Sequence, residues 1–225
     1  MPPSLTIGQQ WELRDELTDF VRKARLMLLE IEKKRGRPFL FGARVPSTVA
    51  GCHYDGLDGE TWAKENLVDI FFVGSRSFEL DLVGFRRITK GTNIKLYPSI
   101  DDYHASEKYR QHSIEFLRAV FSNWYHQGAD GAQTYNCHTW SDELGRKFQH
   151  EIGLTHIVMT PKSQQTAYHE VGTPETMRFK DKIYAIQRRY GELGTSWNVY
   201  HNINCQAQLP AVLGKEDRKS VVSGK

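Results

Sequence analysis

The acidic residues of this chain gather in short polar stretches, each following an apolar run. Asp101 and Asp102 stand side by side in YPSIDDYH, between Tyr97 and Tyr103 and next to His104. Two adjacent like charges are costly to bury together, so one carboxyl of the pair is expected to keep its proton to higher pH. That is the property a general acid needs. Glu79 and Asp81 lie in SRSFELD, with Arg76 and Phe78 close to Glu79. Asp55, Asp58 and Glu60 form a third group. Each group also has a structural reading. Asp58 sits where a helix N-cap belongs, Glu60 falls in that helix's first turn, and Glu79 and the Asp101–Asp102 pair could cap the helices that follow them.

Other reactive side chains are less well placed. Cys52-His53 and Cys137-His138 look like ligand pairs. Neighbours on a strand point to opposite faces, so the two members of such a pair do not share one ion. No metal and no cofactor is expected. A nucleophilic pair of Cys137 with His104 or His138 is the remaining thiol chemistry. The basic run Lys33-Lys34-Arg35-Gly36-Arg37 reads as the cationic end of a helix.

Aromatic residues crowd the acidic stretches: Tyr54, Trp62, Phe78, Tyr97, Tyr103, Tyr135 and Trp140. Flat rings with a polar edge suit ligands that are apolar on one face and hydroxylated at the rim. Trp62 and Tyr135 are assigned to the core, and Tyr103 and Trp140 to a binding platform.

The elements that must position these residues alternate. Leu13, Leu17, Phe20, Val21, Ala24, Leu28 and Ile31 recur at helical steps, which predicts one helix from Gln10 to Lys34 packed through that stripe. Gly36 stops it and Pro38 forbids its return. Apolar runs at Phe39 to Val45, Leu67 to Gly74, Asn93 to Pro98, Ala132 to Asn136 and Asp181 to Ile186 read as strands, and Leu154 to Thr160 as a weaker one. Helices are expected at Gly59 to Asn66, Phe78 to Thr89, Ala105 to Gln127 and Asp142 to Glu151, with a helical turn at Pro174 to Phe179. Asn198 to Leu213 reads as an extended closing tail.

Strands alternating with helices imply a parallel sheet. No strand ends in a Gly-rich dinucleotide or phosphate loop. Long polar loops follow the strands instead, the pattern of a (β/α)8 barrel with its chemistry at the strands' C-terminal ends. By alternation Arg44 shares a face with Leu40 and Gly42, so it enters the barrel mouth if the small-residue face points inward. Its structural alternative is an ion pair with a neighbouring acid.

Composition narrows the function classes. The chain has 225 residues and a formal net charge of +3, so it is not a strongly basic nucleic-acid binder. No run reaches the roughly 20 apolar residues of a membrane span. Met1 to Gln10 has neither the basic nor the apolar region of a signal peptide. Compartment and oligomeric state stay open.

Several blocks carry a resemblance. EIEKKRGRPFLFGARVP (Glu30 to Pro46), GLDGETWAKENLVDIFFVG (Gly56 to Gly74), WYHQGADGAQTYN (Trp124 to Asn136), ELGTS (Glu192 to Ser196) and QLPAVLG (Gln208 to Gly214) occur in that order. Together, from about Glu12 to Gly214, the chain resembles the glycosyl hydrolase family 10-like barrel family. The resemblance implies an α/β fold of the (β/α)8 TIM-barrel type and a carbohydrate ligand. Glycoside hydrolysis uses two carboxyl groups across the scissile bond. Asp101 or Asp102 is then the acid and Glu79 its partner, with Arg44, Arg76, Tyr97, Tyr103, Asn136 and Trp140 as sugar-binding residues. Two places depart from many retaining glycosidase barrels: Asn136 stands where those enzymes place a glutamate, and Arg44 ends the strand that often carries Asn-Glu. A binding barrel without turnover is therefore a second expectation.

The resemblance also counts strands. Phe39 to Val45 corresponds to a fourth barrel strand and Asp181 to Ile186 to the last, which gives an incomplete barrel of about five βα units over residues 10–190. Residues 191–214 would be the closing segment and 215–225 a polar tail. Within that tail, Asp217 to Val222 is similar to the translation of a common sequencing adapter. A truncated product without independent activity is the third expectation.

Overall fold

Helix α1 (Gln9–Glu12) runs into the long helix α2 (Arg14–Arg35), with Leu13 between them. The computed structural model describes residues 9–74, 78, 80–101, 114–135, 161–184 and 221–222, and of 101, 161–165 and 221–222 only the backbone. Gly36 ends α2 in the left-handed conformation at φ 67°, its N–H bonded to the Glu32 carbonyl, as the sequence predicts.

The buried face of α2 differs from the expected stripe. Thr18 and Val21 are the buried residues, whereas Leu13 is 48 % exposed, Leu17 36 % and Phe20 66 %. Directed polar bonds set the rotation of the helix. The Trp62 Nε1–H donates to Thr18 Oγ1 at 3.0 Å, Arg22 pairs with Glu65 at 2.7 Å, and Arg25 pairs with Asp69 at 2.7 Å. All three partners lie on or beside the next βα unit, so they turn the Thr18–Val21–Arg25 line toward it.

Strand β1 (Gly42–Val45) follows, then α3 (Val49–Tyr54), α4 (Gly59–Lys64), β2 (Ile70–Val73), α5 (Leu82–Ile88), β3 (Lys95–Asp101), α6 (Ile114–His126) and β4 (Gln133–Tyr135). Helix α3 was not expected. Its N-cap is Thr48, whose hydroxyl accepts the Gly51 N–H at 2.9 Å just after the Pro46 break. Asp58 caps α4 and Asp81 caps α5, each through a carboxylate accepting the N–H three residues on. For Asp58 this is its structural reading; Asp81 takes the same role unexpectedly, and α5 begins at Leu82 rather than at Phe78.

The four strands form one sheet in the order β1-β2-β3-β4, and every adjacent pair is parallel. Each strand lies beside its predecessor in sequence, so the order never reverses as it does in a doubly wound sheet. The fold is therefore α/β with a parallel sheet.

Alternation gives this sheet two faces. Val45, Phe71, Val73, Leu96 and Ile100 are buried in the core with Trp62 and Ala63 of α4, Leu82 and Phe85 of α5, and Leu117, Phe121 and Trp124 of α6. Phe71 and Phe85 lie 6.0 Å apart, ring centre to ring centre, and Phe121 and Trp124 5.0 Å. Leu117, Val120 and Trp124 are buried on α6 as its period predicts.

The fifth strand is a correction. Helices α7 (Pro161–Glu170) and α8 (Pro174–Met177) lead to β5 (Ile183–Tyr184), which pairs with β6 (Val221–Val222) in a separate parallel two-stranded sheet. It does not extend the four-stranded sheet. The stretch is only two residues long and Ile183 is 40 % exposed, so it lacks the continuous apolar run that a strand covered on both sides carries. The expected elements at Asp142 to Glu151 and Leu154 to Thr160 lie outside the described residues.

Candidate functional site

The second face of the sheet carries Gly42 and Arg44 from β1, Ile70 and Phe72 from β2, Lys95, Tyr97 and Ser99 from β3, and Gln133 and Tyr135 from β4. The register aligns Arg44 with Phe72, Phe72 with Tyr97, Ser99 with Gln133, and position 101 with Tyr135. Arg44 lies opposite the core-facing Val45, as alternation predicts, and is exposed.

The Arg44 guanidinium carbon sits 4.1 Å from the centre of the Tyr135 ring. These side chains come from the two outer strands. Carried across the sheet, the Arg44 row meets β4 near Gly131, four residues before Tyr135. A Cβ on Gly131 would lie 3.0 Å from the Tyr97 ring, which places Gly131 in that row. On a flat ladder β1 and β4 stand roughly 14 Å apart, and four residues add roughly 13 Å along the strand. An arginine and a tyrosine reaching toward each other do not span that diagonal. The sheet therefore curls about this face and its strands are tilted, so that the register is staggered across the concave side.

The floor of the concave face is aromatic. Phe72 meets Tyr97 edge to face at 5.9 Å. Gly42 makes room for the Phe72 ring, since a Cβ there would fall 2.5 Å from it. Above this floor, the Ser99 hydroxyl and the Gln133 carbonyl oxygen are buried and have no hydrogen-bond partner. Unpaired buried polar atoms are costly, so a pair of them at aligned positions is a place for a ligand or a water.

Of the residues singled out in the sequence, the structure brings Arg44 and Tyr97 to one face. Asp101 is the last residue of β3, at the C-terminal end of the strand, aligned with Tyr135. Asp102, Glu79, Arg76, Tyr103, Asn136 and Trp140 lie outside the described residues. The assignment of Tyr135 to the core is corrected: it is half-buried under Arg44 on the open side of the sheet. Trp62 is buried, as expected. Phe78 packs edge to face on Phe116 of α6 at 5.2 Å, and so belongs to helix packing.

Phe72, Ser99 and Gln133 were missed. The signal was available, because each lies two residues or one register step from Tyr97 or Tyr135.

Other candidates separate from this face. Asp55 ends α3, and its neighbour Gly56 is pressed against the Gln10 backbone of α1. Partial desolvation pushes its carboxyl above the ordinary 3.8. Cys52 and His53 lie on helix α3 rather than on a strand. The Cys52 thiol is buried and pushed up to about 12 by that burial, while His53 packs at a tilt on Trp11, ring centres 4.2 Å apart. They do not converge. Among the described residues no group of histidine, cysteine, aspartate and glutamate is placed to hold a metal ion, and no helix is long and apolar enough to cross a membrane. An open groove of about 350 Å³ lies between the end of α2 and the approach to β1, lined by Glu32, Lys33 and Arg37 among others. It is at the strand's N-terminal end, away from the concave site.

Among the described residues this face gathers an aromatic pair, two unpaired buried polar atoms and an exposed cation. No protein-family model matches the chain, and no curated protein matches it.

Proposed function

We propose that the chain forms part of a glycosidase-like (β/α)8 barrel that takes carbohydrate at the C-terminal ends of its strands. The observation that carries this reading is the meeting of Arg44 and Tyr135 over the concave face. In-sequence strand order, curl and register stagger are what an eight-stranded barrel needs. Among the described residues β1 pairs on one side only, and that edge and the exposed apolar residues of α2 are surfaces that closure by further βα units would cover.

In this reading Asp101 or Asp102 protonates the glycosidic oxygen and Glu79 acts as nucleophile or activates water. Arg44, Arg76, Tyr97, Tyr103, Asn136 and Trp140 hold the sugar. The place of Asp101 at the end of β3 supports the acid assignment. The second reading, binding without turnover, is favoured by Arg44 and Asn136 standing where retaining glycosidase barrels often carry acids.

The test is sugar release from aryl glycosides and polysaccharides by the full chain, beside affinity electrophoresis on the same glycans. Hydrolysis that falls about 100-fold or more in D101N or D102N, and again in E79Q, supports the catalytic reading. Retarded migration without sugar release supports the binding reading. Neither release nor retardation on any glycan overturns both.

A further inference from the structure

We propose that the concave face selects a sugar ring bearing a single carboxylate, a hexuronate, with Arg44 as the residue that takes the carboxylate. The inference rests on the carbohydrate reading above and names its substrate class.

Arg44 is the starting point. Its guanidinium carbon lies over the Tyr135 ring, 4.1 Å from the ring centre, a contact with the π face that uses none of its N–H donors. Among the described residues it has no carboxylate partner, although Arg22, Arg25, Arg86 and Arg118 are each paired with an acid. An arginine oriented by stacking and lacking an anion is arranged to receive one, and its planar fork matches the two oxygens of a carboxylate.

Charge balance favours a monoanion. The other cation on this face, Lys95, stands at the N-terminal start of β3 and faces Asp130 at 3.7 Å. That leaves one unpaired positive charge among the described residues of the face. A phosphate monoester carries close to two negative charges at neutral pH, more than one guanidinium balances; a sulfate ester carries one, and the test below separates it from a carboxylate.

The second observation is independent. The Ser99 side chain is fully buried, and its hydroxyl and the Gln133 carbonyl oxygen are unpaired at aligned positions on the same face. Gln133 Oε1 accepts only, so it needs a donor, and the Ser99 hydroxyl can donate or accept. Ring hydroxyls supply both, and a simple carboxylic acid without hydroxyls does not. The Phe72 and Tyr97 rings beneath suit the apolar face of a pyranose.

The test compares an oligogalacturonate and an oligoglucuronate with their methyl esters, by calorimetric titration of the full chain. The ester keeps the ring and its hydroxyls and removes the charge. The free uronide is expected to bind about tenfold or more tighter than its ester, as the gain of one charge-assisted pair implies. R44Q is expected to abolish that difference by weakening the uronide more than the ester, while Q133L weakens uronide and ester alike. The wild-type comparison needs no variant, so it decides the matter even if R44Q does not fold. Equal binding of uronide and ester, or tighter binding of a neutral or sulfated glycan of the same length, overturns the uronate inference and leaves the carbohydrate reading intact. Binding of none of these glycans overturns the carbohydrate reading and the inference with it.

Discussion

Asp69 and Asp130 hold equivalent places in two separate βα units. Each backbone N–H donates to the carbonyl of a residue on the preceding strand or its approach, Phe41 at 2.7 Å and Leu96 at 2.9 Å. Each carboxylate in turn accepts that same residue's N–H, at 2.7 and 2.8 Å. Each also binds an arginine from the helix leading into that strand, Arg25 and Arg86, and both arginines lie 44 residues before their aspartates. The two clamps sit at the N-terminal ends of the strands, opposite the concave site. In parallel α/β sheets ligands bind at the C-terminal ends of the strands, so the clamps' place at the other end assigns them to stability.

Removing a clamp leaves a strand N–H and an arginine without their acceptor. D69A and D130A are each expected to lower unfolding free energy by about 1–3 kcal/mol. D130N keeps an acceptor for Leu96 and is expected to lose less. Urea unfolding followed by circular dichroism reads the difference. Equal stability of D130A and the parent chain would refute the clamp.

The facing of α2 makes a paired prediction. Val21 is 5 % exposed and Phe20 is 66 % exposed, although both belong to the same apolar stripe in the sequence. V21A is expected to cost about 1.5 kcal/mol through lost burial and a residual cavity. F20S is expected to stay within about 0.5 kcal/mol of the parent. The reverse order in thermal unfolding would mean that the stripe, not the Thr18–Val21 line, packs inward.

The Arg44–Tyr135 stack can be measured as a coupling. A double-mutant cycle of R44Q and Y135L, read by unfolding, is expected to give about 0.5–1 kcal/mol of interaction. Y135F keeps the ring, so R44Q should cost the same in its background and that cycle should read near zero. A coupling near zero in the R44Q–Y135L cycle would contradict the contact on which the curl of the sheet is argued.

Glu170 sets an acid limit on the α6–α7 contact. Burial pushes its carboxyl up, but the hydrogen bonds from Arg118 and Lys180, both 2.7 Å away, outweigh this and hold it below the ordinary 4.5. A carboxyl with a lowered folded-state value contributes stability that is fully present above 4.5 and is lost as pH falls through the folded value. Melting temperature is therefore expected to drop more steeply below pH about 4.5 in the parent chain than in E170Q, which is less stable at neutral pH. Parallel pH profiles for the two proteins would contradict the assignment.

The sequence by itself determined the α/β class, the parallel alternation and most helix ends. Gly36 and Asp58 act locally, through one left-handed residue and one cap bond, and such signals need no partner elsewhere in the chain. The face of Arg44 was legible for the same reason, since strand alternation is a local property.

Tertiary structure decided the rest. Which line of α2 is buried depends on Trp62, Glu65 and Asp69, partners 43 or 44 residues away that no periodicity in α2 encodes. That Ile183–Tyr184 lies outside the main sheet shows only in its pairing with Val221–Val222. Above all, the site is made by curvature. Arg44 and Tyr135 are 91 positions apart and on opposite edges of the sheet, and only its curl and stagger bring a cation, a ring and two unpaired polar atoms onto one concave surface.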